Sequence, residues 1–159
     1  MNATSVTEPY PYNTPPWRRS HRAIAPNGSL VAEIAEAFEH SMSNPTVGTL
    51  RTSDGIELAN CNPSFIWSDD SNYLVVPQWY RYFALFLRQR LILVDVRNRT
   101  LYASRLTAWL LLPQSFDRGR LQVLVSHWAG ISWGWKKNPI VVEFPRDLSE
   151  FVKLKSDYK

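Results

Sequence analysis

The groups in this chain that could do chemistry are few and scattered. Its three histidines, His21, His40 and His127, stand far apart, and no His-x-x-x-His pair or His/Cys cluster offers the spacing that a metal ion requires of its ligands. They read as surface or hydrogen-bonded histidines, with neither metal nor cofactor implied. The six glycines form no phosphate-cradling loop. Ser126-His127 sets a hydroxyl beside an imidazole, but no third orienting group and no nucleophile elbow accompanies it. Asp69-Asp70 puts two carboxylates side by side. Adjacent residues entering a strand point to opposite sides, however, and Asp in such a turn bonds its side chain to nearby backbone. Asp95, between Val94 and Val96, either faces solvent or needs a buried partner. Arg88, Arg90 and Arg105 are at hand, so a structural ion pair is its expected use. Three N-glycosylation triplets, at Asn2, Asn27 and Asn98, read as chance matches. No catalytic residue is assigned, and the chain is expected not to be an enzyme.

What the sequence does concentrate is aromatic surface. Residues Ser126 to Pro139 hold three of the seven tryptophans, Trp128, Trp133 and Trp135, loosened by Gly130 and Gly134 and followed by Lys136-Lys137. Tryptophan in a loop is enriched at binding hot spots, because a large rigid surface is ordered there at low entropic cost. The bland use of such rings is to close an open end of a sheet, which suits Trp128 better than Trp133 or Trp135. Residues 1–22 form an arm in which Pro9, Pro11, Pro15 and Pro16 alternate with Tyr10, Tyr12 and Trp17, a composition for extended chain. It reads either as a free terminus or as a strap whose aromatics dock on the domain or on a partner. The partner-binding candidates are therefore Trp128, Trp133, Trp135, Lys136 and Lys137, with Tyr10, Tyr12 and Trp17 as anchors on the arm. A second surface would arise if Arg88, Arg90, Arg97 and Arg99 lined one face with Tyr80 and Tyr82, as on single-strand nucleic-acid platforms.

These residues must be carried by one fold. At 159 residues, 45% of them hydrophobic, the chain suffices for a single core, assigned to residues 23–159 behind the arm. Cys61 is the lone cysteine, which speaks against an oxidising compartment. The first residues lack an apolar signal region, and the longest apolar runs, such as Leu106 to Pro113, are too short to span a bilayer. A soluble, cytoplasmic protein with no membrane partner is expected, its oligomeric state left open. The net charge of +4 allows an acidic partner, but the basic residues form no dense run.

From residue 23 the chain repeats itself. Ala25 to Val31 aligns on Ser68 to Leu74 with an offset of 43 residues, a polar turn feeding an apolar run in each case. The turn Ser53-Asp54-Gly55 aligns on Arg97-Asn98-Arg99 with an offset of 44. A poorer third copy starts at Asp117-Arg118-Gly119 and ends with Ile140 to Phe144. Periods near 40 to 45 residues with about four strands each mark propeller blades.

Phe65 to Trp67, Tyr73 to Val76 and Leu91 to Val96 are β-branched and aromatic runs bounded by turn residues, hence strands. Pro77 is expected to stop pairing and place its strand at an edge or bulge. Over residues 29–40, Leu30, Ile34 and Phe38 have helical spacing behind a Ser29 cap, whereas the repeat register demands a strand, and the register is preferred. One short C-terminal helix is expected, from Asp147 with Glu150 as a capping box and Leu148, Phe151, Val152 and Leu154 as its stripe.

The second copy, Pro63 to Val76 followed by Leu91 to Val96, resembles one blade of the WD-repeat and Tol-type propeller families. In these an aromatic-Ser-x-Asp turn opens a strand and an apolar-Asp-apolar strand follows. The resemblance implies a scaffold of antiparallel meanders and no particular reaction. Three copies are too few to close a propeller. The fold class is therefore all-β, blade-like repeated meanders forming a sandwich or partial barrel. A chain of this size and look also resembles immunity proteins of contact-dependent and type VI toxin systems. That resemblance implies a non-catalytic protein that binds another protein, a cognate toxin, by occlusion. The alternatives are an adaptor of a larger assembly, or a module that binds nucleic acid or carbohydrate.

Overall fold

The computed structural model describes residues 16–39, 44–83, 86–126, 140–143 and 148–154. Their strands are β1 (His21–Ile24), β2 (Val31–Ile34), β3 (Phe38–Glu39), β4 (Thr46–Thr52), β5 (Glu57–Cys61), β6 (Ile66–Trp67) and β7 (Tyr73–Tyr82), followed by β8 (Phe86–Asp95), β9 (Thr100–Ala108), β10 (Leu110–Asp117), β11 (Arg120–Ser126), β12 (Ile140–Glu143) and β13 (Phe151–Lys153). The larger sheet runs β1-β2-β4-β5-β7-β8-β9-β13, with β3 on β4 and β6 on β7, and a three-stranded sheet runs β10-β11-β12. Among the described residues every pairing is antiparallel. No helix among them is long and apolar enough to cross a membrane.

The 43-residue offset carries one hairpin turn onto another. Ala25 N–H donates to Leu30 O and Gly28 N–H to Ala25 O; Ser68 N–H donates to Tyr73 O and Ser71 N–H to Ser68 O. Gly28 and Ser71 both take the left-handed conformation, with φ of 73° and 61°. The 44-residue offset does the same for Gly55 and Arg99, at φ of 93° and 48°. The paired turns also touch. Asn27 N–H donates to Ser71 Oγ at 3.0 Å, and the Arg99 guanidinium reaches the Asp54 carboxylate at 3.4 Å. Each meander therefore lays its turns beside those of the other.

This contact requires the large sheet to fold over on itself, and its inner face shows that it does. Ala32, Ile34 and Leu50 from β2 and β4 share one buried cluster with Leu74, Val76, Ile92, Val94 and Ala103 from β7, β8 and β9. The opposite face of β7 and β8 supplies Val75, Leu91 and Leu93 to a second cluster, closed by Leu111, Phe116, Leu121, Val123 and Val125 of the small sheet. Side chains alternate faces along a strand, so the continuous apolar run Leu91–Val94 feeds both cores at once. Burying each such side chain is worth about 1.5–3 kcal/mol.

Residues 29–39 hold strands, as the repeat register requires, and His40 lies outside the described residues. Val31–Ile34 pairs with both β1 and β4, and Phe38–Glu39 with β4.

Pro77 departs from expectation. It lies inside the ten-residue β7, opposite Leu91. Its carbonyl accepts the Asn62 N–H at 2.8 Å, so its missing N–H falls where β6 has ended and β5 has begun.

The C-terminal helix is corrected too. Leu148–Glu150 makes a single 3₁₀ turn, and Phe151–Lys153 is a strand on the outer edge of β9, opposite Tyr102, Ala103 and Ser104. Leu154 N–H donates to Leu101 O at 2.8 Å and Arg105 Nε to Ser149 O at 3.1 Å. An unpaired edge offered this segment more main-chain bonds than a short helix could supply.

Candidate functional site

The seam between the two meanders does not close along its whole length. β5 pairs with β7 only at Cys61↔Gln78, and then the strands part. Asn60, just before that rung, has φ of 59°, a left-handed kink that turns β5 away from the sheet. The gap is a groove of about 340 Å³ lined by Phe38, Val47, Asn60, Trp79, Tyr80, Arg81 and Leu87. Residues of β3, β4, β5, β7 and β8 thus contribute to the same feature.

The floor of the groove is fixed. Trp79 is buried, and its Nε1 donates to Thr46 O at 3.4 Å. Asn62, wholly buried, donates through Nδ2 to Pro16 O at 2.8 Å and to Thr46 O at 2.7 Å. Its Oδ1 accepts from Ser64 N–H at 3.1 Å and Ser64 Oγ at 2.6 Å, so the amide is satisfied on both sides. Phe38, on the lining, is by contrast 61% exposed, and Phe83 and Phe86, at the tip of the β7–β8 hairpin whose strands supply Arg81 and Leu87, are 78% and 64% exposed. Phe83 also carries φ of 48°, an unfavourable conformation for a bulky side chain in a hairpin connection.

Charge lies beside this apolar surface. In the β7–β8 register Tyr80 faces Arg88 and Gln78 faces Arg90. The Arg90 guanidinium donates to Gln78 Oε1 from Nε at 3.1 Å and Nη2 at 2.9 Å, and sits 5.4 Å from the centre of the Tyr80 ring. Arg81 is exposed at the groove itself. Arg97 and Arg99 do not join this face. They lie in the turn at the far end of β8, roughly 24 Å along the strand from Arg90 at about 3.4 Å per residue, and Arg99 is paired with Asp54. The expected four-arginine face is therefore two arginines.

The remaining candidates serve structure. Asp70 accepts from Ser68 Oγ at 2.6 Å, Asn72 N–H at 3.0 Å and Asn72 Nδ2 at 2.6 Å. Burial acts upward on its carboxyl, but these bonds together hold it below the usual range. Asp69 turns elsewhere and accepts the Arg118 N–H at 2.9 Å. Asp95 is buried, and its partner is no arginine: it accepts from Asn98 N–H at 2.9 Å and Asn98 Nδ2 at 2.8 Å, tying its own turn. Asn27 Oδ1 likewise accepts from Ser29 N–H at 2.9 Å. The His21 ring packs against Phe65 at 4.5 Å, and burial, then Arg18, lower its pKa. Burial pushes the Cys61 thiol up to about 12, so it is protonated at neutral pH. Among the described residues no three His, Cys, Asp or Glu side chains come together as a metal ion would need.

Of the partner-binding residues expected from sequence, Trp128, Trp133, Trp135, Lys136, Lys137, Tyr10 and Tyr12 lie outside the described residues, as do His40 and His127. Trp17 is half-buried, packed with Trp109 and Leu124 against Leu110 and Leu112. Sequence reasoning missed Phe38, Phe83, Phe86 and Arg81. The available signal was Tyr82-Phe83-Ala84-Leu85-Phe86, an apolar run where a hairpin connection ordinarily carries Gly, Asn or Asp. A second hollow, lined by Asp69, Ser115, Asp117, Arg118, Arg120 and Gln122, mixes charges of both signs, with Arg120 on Glu143 at 3.5 Å.

Comparison with protein-family models, curated proteins and solved structures finds no match to this chain.

Proposed function

We propose that this chain works by binding another protein, and that the aromatic rim of the groove is the contact. The observation that carries the reading is the exposure of Phe38 on the lining of a groove whose floor is rigid, with Phe83 and Phe86 exposed at the tip of the β7–β8 hairpin that brings Arg81 and Leu87 to the same groove. Large apolar side chains left in water beside a preformed hollow are the usual mark of an interface. Arginine at the margin adds the residue type most enriched there after the aromatics. The specific form of the proposal is a non-catalytic immunity protein that occludes a cognate toxin, and its support is the sequence resemblance.

The test is co-expression with the product of the adjacent gene. The proposal expects relief of toxicity and a one-to-one complex, both lost in a Phe38→Ser/Phe86→Ser variant that keeps its circular dichroism spectrum. A neighbour that is not toxic, or that this chain fails to restrain, removes the immunity form. A complex indifferent to the double variant removes the rim as the contact.

A further inference from the structure

The turn that the first meander lays against the second is built on the one Asn-Gly pair in the chain, Asn27-Gly28. Asn27 N–H donates to Ser71 Oγ at 3.0 Å across the seam, and Gly28 N–H donates to Ala25 O at 2.8 Å. Asn27 Oδ1 accepts from Ser29 N–H at 2.9 Å and from Ser29 Oγ at 2.6 Å. Asn27, Gly28 and Ser29 are all exposed, and a Cβ built on Gly28 would meet nothing within 4 Å. Every other asparagine in the sequence is followed by a bulkier residue. Only at Asn27, therefore, does a side-chain amide carbon stand before an uncrowded backbone nitrogen.

We propose that Asn27 is a self-modifying site that the fold holds shut, and that opening of its turn converts it to aspartate or isoaspartate. Gly28 N bonds to Asn27 Cγ and closes a succinimide ring; the Cγ–Nδ2 bond breaks, and Nδ2 leaves as ammonia with the proton that Gly28 N gave up. Water then adds across one of the two imide C–N bonds. The closed turn restrains both reactants. Gly28 must surrender the proton it shares with Ala25 O, and Asn27 Cγ must leave the position that its Ser29 bonds fix. Isoaspartate routes the main chain through the former side-chain carbon, one methylene longer, so the turn bond and the Ser71 contact lose their common register. Either product also adds a carboxylate opposite a turn that already carries Asp69 and Asp70. Asp54-Gly55, at the other seam contact, is not equivalent, because its carboxylate, paired with Arg99, is a poor electrophile.

The experiment incubates the full chain at pH 8, folded and in urea, and follows residue 27 by peptide mapping and mass spectrometry. Conversion should be slower in the folded chain by about tenfold or more, which is about 1.4 kcal/mol and the scale of one or two such bonds. Ser71→Gly suits the left-handed φ of 61° and removes the hydroxyl acceptor; it should keep its circular dichroism spectrum and convert about threefold faster or more when folded. Gly28→Ala should slow conversion in urea, where no fold intervenes, because its methyl crowds the attacking nitrogen. Chain carrying isoaspartate at residue 27, purified and refolded, should unfold at lower urea than the parent. Equal rates folded and in urea overturn the closed gate, and a folded rate unmoved by Ser71→Gly overturns the seam's part in it. Absence of conversion in urea, or conversion there indifferent to Gly28→Ala, overturns the site itself. Equal urea midpoints for modified and parent chains overturn the loss of the seam.

Discussion

Replacing Gly48 by alanine should destabilise the protein although alanine is otherwise the better residue. A Cβ at position 48 would stand 2.7 Å from Ile34 Cγ2 and 3.2 Å from both Cα and Cβ of Ala37. Ile34 and Ala37 are buried, so neither can swing aside without moving the segment that carries Phe38 to the groove. Overpacking of this kind costs about 1–3 kcal/mol. Against that, alanine reduces the freedom of the unfolded chain, a gain of about 0.4–1 kcal/mol. The net loss should be about 1–2 kcal/mol, or about 2–8 °C in Tm for a domain of this size. Urea unfolding followed by circular dichroism measures it, with an unchanged m-value expected. Combining Gly48→Ala with Ile34→Ala, which removes the clashing methyl, should cost less than the sum of the two by about 1 kcal/mol. A Gly48→Ala variant as stable as the parent would refute the close packing of β4 on the β2-to-β4 connection.

Three further outcomes follow from the site's surroundings. Asn62→Ala should lose about 2 kcal/mol or more in urea unfolding, since it leaves buried partners at Thr46 and Ser64 short of a bond; a loss under about 0.5 kcal/mol would contradict the network. Cys61 in the folded protein should react with a thiol reagent at pH 8 roughly a thousandfold more slowly than in urea, from thiolate fraction alone, and comparable rates would contradict its burial. His21, with its pKa lowered, is held neutral in the fold. Its contribution is fully present above pH 6.5 and is lost as pH falls through that value toward the folded pKa, because the unfolded chain takes up the proton first. His21→Gln should flatten that part of the stability profile, and an unchanged profile would count against it.

The repeat was legible because turn chemistry is local. Ser68-Asp69-Asp70-Ser71 and Ala25-Pro26-Asn27-Gly28 each encode a tight turn, and the strands between them had only to follow the register. That register also overrode the helical spacing of Leu30, Ile34 and Phe38. The C-terminal segment went the other way. Asp147 and Glu150 signal a helix locally, but the vacant edge of β9, which only the folded sheet creates, captured Phe151–Lys153. Asp95 illustrates the same limit at the scale of one side chain: its partner was the neighbouring turn amide, closer at hand than any arginine. The groove was not legible because it depends on where β5 leaves β7. Its lining spans Phe38 to Leu87, and the kink at Asn60 that opens it is a backbone conformation with no pattern around it.

The central claim is that the aromatic rim binds a protein. Isothermal titration of the neighbouring gene's product against the parent chain and the Phe38→Ser/Phe86→Ser variant tests it most directly. Loss of hot-spot aromatics at about 2 kcal/mol or more should weaken Kd at least about thirtyfold, with folding unchanged. Equal affinity for the two chains would contradict the account.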